Sequence, residues 1–79
     1  MTQEQKVLLL EIIKWRNTDF HNEMEDHWTS DNFRISSECH KMIRTLEAEY
    51  KDKYGELPHW KYITDMWDFA KTLKGDANG

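Results

Sequence analysis

The sequence predicts an all-α fold, a small antiparallel three-helix bundle, and three observations lead there. Apolar residues recur at helical spacing in three segments. No run alternates apolar and polar residues between turn signals, as strands would. The segments are joined by short stretches of capping and turn residues, which favour antiparallel neighbours. The expected helices cover about residues 3–28, 31–54 and 58–74, in one domain over 1–79 with a frayed tail at 75–79.

The first helix opens at Thr2, with Gln5 three positions on in a capping-box arrangement. Leu9, Ile13, Phe20, Met24 and His27 share one face, with Leu10 and Trp28 at its edge, while Leu8, Ile12 and Trp15 extend onto another. Its first half is thus apolar on two sides. The break follows in TSDNF, whose short polar side chains satisfy free backbone donors. The second helix starts at Asp31 capped by Ser30, or later near Ser36 and Ser37. Its stripe is Ile35, Cys39, Met42, Ile43, Leu46, Tyr50 and Tyr54, and Gly55 ends it.

The third segment, LPHWKYITDMWDFAKTL, opens with Pro58 in the first turn and stops at Gly75. Two parallel stripes run along it, Trp60, Ile63, Trp67 and Ala70 beside Tyr62, Met66, Phe69 and Leu73. The first stripe reads as core. The second is too much for one short neighbour to cover and is expected to stay partly available outside the bundle. Surplus apolar surface of this kind predicts an oligomer or a foreign protein partner.

Composition narrows the function. The single Cys39 excludes an internal disulfide and fits a reducing, cytoplasmic setting. No basic leader with an apolar core, and no uninterrupted apolar run long enough for a bilayer, is present, so neither export nor membrane insertion is expected. The net charge of -4 disfavours nucleic-acid binding. Residues 1–28 hold six acidic against three basic residues, so most of the excess acid lies on the first helix.

The chemical constellations are sparse. His21 and Glu25, and Glu23 and His27, are each four apart, but no HExxH exists and a zinc site needs about four convergent ligands. No metal and no cofactor are expected. Ser36 and Ser37 read as caps rather than as nucleophiles beside Cys39 and His40, since adjacency supplies neither an aligned base nor an oxyanion site.

Glu23-x-x-Asp26 with Glu47 and Glu49 faintly resembles the carboxylates of all-helical nucleotide pyrophosphohydrolases, which hold magnesium near phosphates. Here these acids mostly alternate with the apolar stripe, which makes them a solvated face. EYKDKYGELPHWKYITDMW resembles a helix-turn-helix in shape, yet it presents His59, Lys61, Thr64 and Asp65 where readers of base edges carry arginine, lysine, asparagine or glutamine.

The expected function is a small acidic, non-enzymatic interaction module: an inhibitor, adaptor or accessory regulator of the phage or mobile-element type. Leu8, Trp15, Tyr62, Met66 and Phe69 would dock on a larger protein or on a second copy, and Asp19, Glu23, Glu25 and Asp26 would steer the encounter. The alternatives are a helix-turn-helix-like regulator and a metal-dependent hydrolase built around His21 and Glu25.

Overall fold

The computed structural model describes residues 1–78, the last three by backbone alone. Three helices, α1 (Gln3–Glu23), α2 (Ser30–Tyr54) and α3 (Ile63–Asn78), account for about four-fifths of it, and no strand occurs among the described residues. The bundle expected from the sequence is the fold.

The start of α1 follows the sequence closely. The Gln5 amide donates to Thr2 Oγ1 at 3.1 Å and the Thr2 amide to Gln5 Oε1 at 3.4 Å, closing the capping box. Cross-links then run down the α1–α2 seam in antiparallel order. Lys53 Nζ lies 2.7 Å from Glu4 Oε1, Gln5 Nε2 donates to the Tyr50 hydroxyl at 2.9 Å, and Arg16 pairs with Glu47. His40 Nε2 lies 3.3 Å from Asp19 Oδ2, and Asn22 meets Asn32 at the turn.

The core has two parts. Leu8, Leu9, Ile12, Tyr50 and Leu73 join all three helices, while Ile13, Met66 and Ala70 seat α3 on α1, with Trp60, Ile63 and Trp67 packed alongside. Leu10 and Phe69 touch both parts. The two-sided first half of α1 is explained: one face takes α2 and the other takes α3.

Four boundaries differ from expectation. α1 stops at Glu23 instead of continuing to Trp28. Asn22 Nδ2 donates to the Asn32 carbonyl at 2.9 Å and Asn22 Oδ1 accepts from Asn32 Nδ2 at 2.8 Å, which clasps the chain into a turn. Glu23, Glu25 and Asp26 also place negative charge where the helix dipole is already negative. α2 begins at Ser30 with Thr29 as its cap, and Thr29 donates from both its amide and its hydroxyl to Asn32 Oδ1 at 2.9 and 3.0 Å.

α3 begins at Ile63 rather than Pro58. Residues 55–62 run without helix so that Leu57 reaches one core part and Trp60 the other, and Asp65 then caps the start by accepting from the Tyr62 amide at 3.2 Å. At its far end α3 passes through Gly75 to Asn78; of the expected frayed tail, Gly79 lies outside the described residues. Gly55 ends α2 as expected, at φ 91°, where a side chain would be strained.

Candidate functional site

A groove opens between α2 and α3, with α1 as its floor. No Cα of α2 comes within 8 Å of a Cα of α3 among the described residues, so each packs on α1 without closing on the other. The space left is a cavity of about 360 Å³. Phe20 rises from α1, Ile43 from α2, and Trp60, Tyr62, Ile63 and Met66 from the connection and α3. The fixed aromatic wall is built by Trp60, whose ring lies 5.5 Å from that of Phe69 and under the Arg16 guanidinium at 5.9 Å. Tyr62 is the most open member, at 60% exposure.

The opposite side of this groove is polar. Asp19 and Glu23, one helical turn apart on α1, converge with His40 of α2, and one ligand atom from each lies within 4.8 Å of the others. The Asp19 side chain is only 15% exposed. Its Oδ2 faces His40, while Oδ1 is buried without a hydrogen-bond partner. Cys39 is buried nearby; burial pushes its thiol above the ordinary range, and the charges of Asp19 and Glu38 add to this. The thiol is therefore held protonated and is a packing group, not a nucleophile.

The residues expected to dock divide. Tyr62 is exposed, and Trp15 and Phe69 are half-buried. Leu8 and Met66 are not on the outside at all, at 8% and 2% exposure, because Leu8 packs with Tyr50 and Leu73 in one core part and Met66 with Ile13 in the other. The steering acids also divide: Asp19 is half-buried and paired, whereas Glu23, Glu25 and Asp26 are exposed.

His21 and Glu25 do not share a helical face, since α1 ends between them. His21 instead stacks on Trp67 at 6.3 Å, and Trp67 donates to Asn17 Oδ1 at 2.7 Å. None of His21, Glu25 and His27 belongs to the converging cluster. In the segment that resembles a helix-turn-helix, an eight-residue connection (55–62) replaces the usual tight turn, and His59 and Lys61 precede α3 instead of projecting from it.

Two features escaped sequence reasoning. The Asp19–Glu23 spacing was legible, but the partner in His40 depends on which turn of α2 lies opposite. The exposed pair Trp28 and Phe33, ring centroids 5.0 Å apart, forms because α1 ends early and releases Trp28 from its expected apolar edge. Among known proteins, the chain matches no protein family, and no curated protein or solved structure is detectably similar to it.

Proposed function

We propose that the chain is a non-enzymatic docking module that binds a larger protein in the α2–α3 groove. The observation carrying this reading is the open groove itself, in which an apolar wall of Trp60, Tyr62 and Ile63 faces the acidic Asp19 and Glu23 of α1. Two neighbouring helices that stay apart leave apolar surface in water, which is costly unless something covers it. Tyrosine and tryptophan are also the residues that most often dominate binding energy at interfaces.

The partner segment is one that inserts an apolar side chain flanked by basic ones. The chain carries a net charge of -4, and the exposed acids Glu23, Glu25 and Asp26 lie at the groove end of α1 and in the turn after it. Like charge would be repelled there and a basic surface drawn in. Regulation of the phage or mobile-element type is one setting in which such a module acts.

A photo-crosslinking residue at position 62, compared with one at exposed position 51, tests this in the native host. Position 62 should capture one protein that position 51 does not. On that purified partner, Tyr62→Glu should weaken binding by about 2 kcal/mol, roughly 30-fold, with helicity unchanged. Equal labelling at both positions, or undiminished binding by Tyr62→Glu, would sink the reading. A dimer mass in light scattering that Tyr62→Glu abolishes would replace the foreign partner with a second copy.

A further inference from the structure

We propose that Asp19, Glu23 and His40 form a binding site for a zinc-like divalent cation that bridges α1 and α2. Two carboxylates at i and i+4 on one helix and an imidazole from the facing helix supply three donors of the kinds zinc accepts. Their ligand atoms lie within 4.8 Å of one another. Donors about 2 Å from one ion are necessarily within about 4 Å of each other, so closure needs only side-chain adjustment.

A second observation points the same way. Asp19 Oδ1 is buried and makes no hydrogen bond, so the His40 contact at 3.3 Å leaves half of a largely buried carboxylate uncompensated. A bound cation removes that deficit. No arginine or lysine does so, because Arg16, the nearest on α1, is turned to Glu47. The imidazole donor favours zinc, nickel or copper over magnesium or calcium, which take oxygen ligands. Asp19 and Glu23 also line the 360 Å³ cavity, which leaves room for water at the remaining coordination position. This site requires no docking partner and stands whether or not the groove binds one.

The test is calorimetric titration of the untagged chain with zinc chloride, followed by thermal melting. Wild type should bind one zinc ion per chain and gain about 5–10 °C in Tm at saturation, with magnesium giving neither effect. Asp19→Asn and His40→Gln should each weaken zinc binding at least about tenfold, while His27→Gln leaves it intact. If both site variants bind as wild type does, the ion is adventitious and the proposal fails; absence of saturable zinc binding also overturns it. Should either variant not fold, imidazole resonances of the wild type decide. Zinc must shift those of His40, and a shift confined to His21, His27 or His59 overturns the site.

Discussion

Asn22 is the one buried polar side chain of the described core, and its two bonds to Asn32 show how a single residue sets a boundary. Asn22→Ala should leave the Asn32 side-chain amide without its acceptor and remove a second bond to the Asn32 carbonyl, costing about 1–3 kcal/mol in urea denaturation. The seam at the other end of α1 titrates instead. The Lys53 hydrogen bond and charge hold the Glu4 carboxyl below its ordinary 4.5, and Glu4 in turn raises Lys53 above 10.5. Because the folded chain binds the Glu4 proton less readily, this contribution is complete above 4.5 and disappears as pH falls through the lower folded value. The Lys53 side is complete below 10.5 and is lost as pH rises through its higher folded value. Both groups are exposed, so the effect is small and salt-sensitive. Wild type and Glu4→Gln should differ in urea midpoint near neutrality at low salt and converge in acid.

At the scale of elements, α3 shows most plainly which signals held. Its apolar periodicity marked a helix, but two of the three side chains it buries, Met66 and Leu73, belong to the stripe expected to stay partly outside, and only Ala70 to the stripe expected as core. Its ends did not follow local punctuation. Pro58 permits a helix start but does not demand one, and the demands of Leu57 and Trp60 for separate core parts outweighed it. Gly75 commonly stops a helix, yet here α3 continues through it. That yields a paired prediction. Gly75→Ala meets no atom within 4 Å and should stabilise by about 0.5–1 kcal/mol, raising Tm by several degrees. Gly55→Ala, at φ +91°, should instead lower Tm through strain of about 1–2 kcal/mol. An equal response at both sites would show that the two glycines do not differ in backbone demand.

For the molecule as a whole, shape and stability follow from α1 lying between two helices whose backbones stay apart. The Cα radius of gyration is 13.6 Å, against about 12 Å for a compact chain of this length. The 25-residue α2 alone spans about 37 Å, which accounts for most of the 41 Å long axis. Stability then rests on the few residues of α1 that face both neighbours. Leu9→Ala, at a fully buried position, should cost about 2–5 kcal/mol, close to the total of a small domain, and abolish the cooperative melt seen by circular dichroism. Cys39 reports the same unfolding chemically. Its thiol should react with an aromatic disulfide reagent about 100-fold or more slowly in the native chain than in urea. Leu9→Ala should erase that protection.

The sequence by itself determined three amphipathic helices, their order, the capping box at Thr2 and Gln5, and the Gly55 stop, because these depend on interactions spanning no more than a few residues. It also marked the apolar surplus of α1 and α3. What covers that surplus was decided by tertiary structure, which buried Leu8 and Met66 and left Tyr62 in the open. The end of α1, clasped to Asn32 beyond the turn, and the start of α3, set by Leu57 and Trp60 in the core, were likewise decided by contacts outside each helix. So were the early release of Trp28 and the meeting of Asp19 and Glu23 with His40. Periodicity says which side of a helix is apolar. Only packing chooses the turn of α2 opposite each turn of α1, and the groove and its cluster of donors arise from that choice.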